Sequence, residues 1–193
     1  MKKILIFGIL SLFYAFSNTS VQAQNVQTYR VGGEGPAGGI IFYDKGNNSG
    51  GWRYLEAAPK EAEFRAPWSV RNTRINNTRT EIGSGRQNTQ LIAETFSQTA
   101  GEWDTAAQLA DELEINGYDD WFLPSRDELD LMYGNLKRRN LGDFMNEWYW
   151  SSTQNSEYTN NAEVQFFNDG SISYGGKQRL NFVRPIRQVP GPN

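Results

Sequence analysis

The sequence predicts a single α+β domain, and three observations point that way. Strand-like apolar runs occupy both ends of the chain, while the helix-patterned segments lie together in its middle. That order favours α+β over alternating βαβ units. The 193 residues include 11 Phe, 9 Tyr and 6 Trp, enough to build one good core, and the chain shows no internal repeat or interdomain linker. There is no Cys and no His, so the fold must hold without disulfides or Cys/His metal staples. The same two absences exclude thiol nucleophiles, Cys/His zinc sites, haem ligation and triads that use imidazole as base. A charged fraction of 21% with a mean hydropathy of −0.65 fits neither a membrane bundle nor a charge-driven disordered chain.

Residues 1–23 read as a secretory signal peptide: Lys2 and Lys3, an apolar run from Ile4 to Phe16, and a small-residue cleavage site at Val21-Gln22-Ala23. The apolar run is too short to span a bilayer. The expected mature product is secreted, periplasmic or held at the cell surface, with no membrane span after cleavage. Loss of Lys2 and Lys3 takes the formal charge from −3 to −5, which argues against a general nucleic-acid or polyanion binder while leaving room for a local basic face.

Residues 24–37 form a lead-in that ends in Gly32, Gly33, Gly35 and Pro36, and the domain proper is expected over 38–188, with a tail at 189–193. Ile40 to Tyr43 reads as a buried strand, and Trp52 to Ala57 as its hairpin partner across a glycine-rich loop. That loop fails the calcium-loop pattern, with Gly46, Ser49 and Leu55 where ligands or the required glycine would stand. Residues 60–86 look irregular and polar, and hold Arg65, Arg71, Arg74, Arg79 and Arg86. They read as solvated loop, with an anionic-ligand face as the alternative. Asn88 or Thr89 can cap a short helix carrying Leu91, Ile92 and Phe96.

Two main helices follow. Asp104 is the expected N-cap of the first, which places Ala106, Leu109, Ala110 and Leu113 on one face and stops at Asn116-Gly117. Ser125-Arg126-Asp127-Glu128 is a capping box that opens the second, with Leu129, Met132, Tyr133 and Leu136 as its apolar stripe. Trp148 to Thr153 is an aromatic strand whose Trp150 is expected in the core. Gln154 to Asn161 is a polar loop, Asn168-Asp169-Gly170 is a hairpin turn between Glu163–Phe167 and Ser171–Tyr174, and Phe182 to Arg187 is a last strand that Pro185 marks as an edge or bulge.

Four segments taken together, in order, resemble the Lcl C-terminal domain family of bacterial collagen-like adhesins. They are Gly38-Gly39-Ile40-Ile41-Phe42-Tyr43; Gly117 through Ser125 (GYDDWFLPS) with Glu128-Leu129; Tyr149-Trp150-Ser151-Ser152-Thr153; and Val183-Arg184-Pro185-Ile186-Arg187. The resemblance covers roughly Gly32 to Arg187. It implies a C-type-lectin-like mixed sheet with two helices, in which Trp148–Thr153 is central and Gln154–Asn161 is the long loop. It also implies an adhesin-type role, since the family's named adhesin binds sulfated glycans as a trimer. Formylglycine-generating enzymes share related folds, but their chemistry needs the cysteine this chain lacks.

Candidate chemistry is sparse. Asp119, Asp120, Asp127, Glu128 and Asp130 could supply a glycosidase pair, yet Glu128 belongs to the capping box and Asp127 suits the first turn of a helix. Asn116, Asp119 and Asp120 could donate to calcium, but Asx residues beside glycine read first as turn chemistry. No cofactor and no metal are expected. The expected ligand contacts are Asn155, Glu157, Tyr158, Asn160 and Asn161, because loops on a rigid scaffold carry recognition. The resulting expectation is a non-catalytic exported module that binds a glycan or a surface protein, not nucleic acid, with self-association left open. The alternative is a cell-envelope structural or interaction domain.

Overall fold

The computed structural model describes residues 27–69, 73–97 and 104–192. The signal-peptide reading, the first residues of the lead-in and Arg71 lie outside them. The chain folds as one α+β domain, and the described residues form eight strands in two sheets and three α-helices. β1 (Ile40–Asp44), β2 (Tyr54–Ala57) and β8 (Ile186–Val189) form an antiparallel sheet in the order β1-β2-β8. β3 (Phe64–Ala66), β4 (Trp148–Gln154), β5 (Asn161–Phe166), β6 (Ile172–Gly176) and β7 (Asn181–Val183) form a mixed sheet in the order β3-β7-β4-β5-β6, with β4 and β7 parallel.

The helix expectations needed correction at two places. The expected short helix and the two main ones are all present, as α1 (Gly85–Phe96), α2 (Ala106–Asp111) and α3 (Arg126–Asn135), but their ends differ. Asn88 and Thr89 do not cap α1, which begins one turn earlier. Both are buried inside the helix and serve the neighbouring chain. The Asn88 amide donates to the Arg79 carbonyl (2.7 Å) and accepts from its N–H (2.8 Å), while the Thr89 hydroxyl accepts from the Leu123 N–H (3.0 Å). Residues suited to satisfy orphan helix donors are equally suited to satisfy a buried loop's backbone. Likewise Asp104 is exposed and Thr105 is the N-cap of α2, through a capping box with Gln108. The helix stops at Asp111, well short of the expected stop at Asn116-Gly117. Asn116 and Gly117, both at positive φ, close a separate turn in which Ile115 and Tyr118 exchange backbone bonds. α3 begins as its capping box requires, with Leu129, Met132 and Leu136 buried.

The expected last strand is two strands. Pro185 has no N–H to give a ladder, so pairing breaks after Val183 and the chain crosses from the five-stranded sheet to the three-stranded one. The Pro185 carbonyl is still used, accepting from Ala58 N–H at 2.9 Å.

β4 sits at the centre of the larger sheet and is buried on both faces. Trp150 enters a cluster with Trp68, Ile92, Phe96, Val164 and the alanines of α2. Tyr149 enters the other, with Phe122, Leu129, Met132, Phe167 and Ile186. Each aromatic removed from water contributes roughly 1.5–3 kcal/mol. This strand therefore anchors both layers, and its C-terminal end fixes where the loop after it emerges.

Candidate functional site

The residues expected to contact a ligand separate into two groups. Asn155 is buried: its side-chain oxygen accepts from the N–H groups of Glu157 (3.0 Å) and Tyr158 (2.6 Å), and its own N–H donates to the Asn161 carbonyl (3.2 Å). It shapes the loop as an Asx turn instead of facing solvent. Asn161 opens β5 opposite Gly176. Glu157, Tyr158 and Asn160 are exposed, Tyr158 at 56%.

The loop leans on the arginine-rich stretch. Arg74 donates to the Ser156 carbonyl (3.1 Å) and the Thr159 hydroxyl (3.1 Å). Ile75 N–H donates to the Gln154 side-chain oxygen at 2.6 Å, and Gln154 N–H to the Thr78 hydroxyl at 3.1 Å. The other described arginines disperse. Arg65 donates to the Leu180 carbonyl, Arg86 to Asp120, and Arg79 is exposed while its backbone is held by Asn88.

Where loop and stretch meet stands Lys177, a residue with no sequence signal beyond its place after Gly175-Gly176. Its side chain is 1% exposed. The ammonium donates to the Thr73 carbonyl (2.7 Å) and the Gln154 side-chain oxygen (2.8 Å), and lies 4.5 Å from the Trp68 ring centre. Among the described residues no carboxylate lies within ion-pair distance of it. Burial pushes its pKa down to about 8, and the Arg74 charge adds to that. Beside it opens a cleft of about 350 Å³ lined by Asn160, Gly176, Lys177, Gln178 and Arg179. The cleft brings the exposed Arg179 guanidinium and the Asn160 amide beside buried Lys177, which suits a ligand bearing an anionic group and hydroxyls.

The acidic residues are engaged elsewhere. Glu128 is fully buried and accepts from Ser125 N–H (2.7 Å) and Gly83 N–H (2.8 Å); burial pushes its carboxyl up to about 7. Asp120 pairs with Arg187 (2.6 Å) and Arg86 (3.3 Å), Asp127 with Arg126 (2.8 Å), and Asp130 accepts from the Gln165 amide (2.7 Å). Asp119 is exposed. Among the described residues no three acidic side chains converge as a metal site would need.

A second hollow, about 150 Å³, is lined by Tyr29, Pro36, Tyr118 and Arg187 among others. There the Arg187 guanidinium is already neutralised by Asp120 and by buried Glu56 (3.1 Å), and lies 4.0 Å from the Tyr118 ring centre. It offers a ligand little unspent charge, in contrast to Lys177.

No curated protein matches the chain. The family model for the Lcl C-terminal domain matches residues 61–187, which takes in every element from β3 to the start of β8 and the whole Lys177 cleft. The match spans well over half of the sequence and contains three of the four segments that first suggested it: this chain belongs to the Lcl C-terminal domain family.

Proposed function

We propose that the protein is an exported, non-catalytic recognition module that holds an acidic surface glycan, or another surface molecule carrying a carboxylate or sulfate, in the cleft between the 154–161 loop and Lys177–Arg179. The observation that carries this reading is Lys177. A buried ammonium costs free energy unless its charge is matched. Here two neutral oxygens and a ring surround it, and the cleft beside it is open to solvent. An anionic ligand group would supply the missing charge. The exposed Asn160 side chain, which lines the cleft, offers hydroxyls both a donor and an acceptor. Family membership supports the same reading, as does a set of carboxylates already bound to arginines and backbone.

Purified protein on an array of neutral, uronate-bearing, sialylated and sulfated glycans should retain only acidic ones, and Lys177→Met should weaken retention at least tenfold. Silence on all acidic glycans, or full retention by Lys177→Met, overturns the reading. Steady turnover of a saccharide overturns its non-catalytic part. The alternative role, a cell-envelope interaction domain, draws on a different feature, the exposed Ile172 and Tyr174 on the edge strand β6.

A further inference from the structure

The two sheets have four edge strands, and three are protected in recognised ways. β3 is three residues long, centres on exposed Arg65 and runs into Pro67. β1 carries a bulge between Ile41 and Tyr43 and is covered by the lead-in, where Gly32 N–H meets the Ile41 carbonyl and Ile41 N–H meets the Gly33 carbonyl. β8 is covered by Phe122, which exchanges both backbone bonds with Ile186. β6 reads Ile172-Ser173-Tyr174-Gly175-Gly176. It has no charge, no proline and no register shift against β5, and its Ile172 and Tyr174 are 48% and 54% exposed on one face.

The direction of its free backbone groups follows from the ladder. Phe166 N–H donates to the Ser171 carbonyl and Lys177 N–H to the Asn160 carbonyl, so residues 171, 173 and 175 turn their polar groups toward β5, while the Lys177 carbonyl, just past the strand, accepts from the Ser69 N–H (3.1 Å). Residues 172, 174 and 176 therefore turn theirs outward, and the Gly176 carbonyl there already accepts from the Arg179 N–H at 2.9 Å, which leaves it one lone pair for a further donor. Among the described residues, no backbone group pairs with Ile172 or Tyr174 on that side.

We propose that β6 is a self-pairing edge, on which a second copy of this chain lays its own β6 antiparallel about a two-fold axis at Tyr174. This register sets Tyr174 against Tyr174 and Ile172 against Gly176, so that every outward residue meets an outward residue. A shift by one position would set outward groups against inward ones. The charges agree with it. Asp169 lies five positions before Tyr174 and Arg179 five positions after, both exposed, so the acidic turn of each copy faces the basic turn of the other. The contact is isologous and closes as a dimer, leaving no free β6 edge. The two tyrosine rings lie side by side across the axis, with Ile172 diagonal to them. The dimer shares Gly176 and Arg179 with the ligand cleft and leaves Lys177 untouched, so the two readings are separated by variants at Tyr174, which does not line the cleft.

Sedimentation of the purified protein at tens of micromolar should give twice the chain mass, and Tyr174→Lys, which sets like charges at the axis, should weaken association at least tenfold with an unchanged far-ultraviolet circular dichroism spectrum. A monomer at all concentrations, or a trimer, overturns the proposal. Because the chain has no cysteine, single-cysteine variants test the register without relying on Tyr174→Lys to fold. Oxidised Tyr174→Cys should run as a cross-linked dimer, since directly opposed positions lie within disulfide reach. Ser173→Cys, with its thiols roughly 8 Å apart by strand spacing and rise, should not. Equal cross-linking at both positions, or none at 174, overturns the pairing.

Discussion

Glu128 shows at the residue scale how one side chain answers two demands. Its two carboxylate oxygens receive the Ser125 and Gly83 N–H groups, so it caps α3 and ties the approach to α1 against it. Burial raises its pKa from the usual 4.5 to about 7, meaning the folded protein holds this proton more tightly than the unfolded chain does. Its contribution therefore favours folding at low pH. It declines as pH rises from about 4.5 to about 7, and is flat above that, a change on the order of 3 kcal/mol. Glu128→Gln should abolish this slope in denaturant melts between pH 5 and 7.5. At neutral pH it should leave stability within about 1–3 kcal/mol of the parent, because the amide can accept from only one of the two donors. The capping box was legible from Ser125 and Glu128 alone, since three-residue spacing dictates it. The burial was not, because Gly83 approaches from 45 positions away. Lys177 was illegible for the same reason: its surroundings come from Trp68, Thr73 and Gln154.

Elements succeed or fail by what covers their ends. At the start of α1, a Cβ on Gly85 would lie 2.2 Å from a Glu128 carboxylate oxygen and 2.9 Å from the Leu123 carbonyl, closer than any real contact. Gly85→Ala should accordingly cost about 1–3 kcal/mol by overpacking, although alanine is the better helix former. A lower midpoint in urea at unchanged m would confirm this, and a raised midpoint would refute it. The same contact explains why the start of α1 was misplaced by sequence rules. Ser84 makes no side-chain cap bond, and the helix opens on a glycine required by packing, so the usual N-terminal signature is absent. α2 and α3 carry complete capping boxes, and α3 was read correctly at its first residue. Thr105 took the place of its exposed neighbour Asp104 because only Thr105 has Gln108 three positions on.

At the scale of the whole molecule, buried ion pairs join segments distant in sequence. Arg184, at the crossing between the sheets, donates to Glu63 at 2.7 Å, and the Tyr149 hydroxyl donates to the same carboxylate at 2.8 Å. Both charged side chains are almost wholly enclosed, so Glu63→Ala should leave a buried guanidinium unmatched and cost about 3–5 kcal/mol, measured by chemical denaturation. A loss below about 1 kcal/mol would mean the pair carries little of the join between sheets. The sequence by itself determined the α+β class, the family, the grouping of strands at both ends of the chain around a helical middle, the α3 cap and the core role of Trp150, because periodicity, turn residues and capping act over a few positions. The tertiary structure alone decided that Pro185 divides one strand between two sheets, that Asn155 turns inward, that Lys177 lies enclosed beside a cleft, and that among the described residues no backbone group pairs with the outer side of Ile172 and Tyr174. Each of these depends on which remote segment occupies the space alongside, and a residue's own neighbours in sequence carry no record of that.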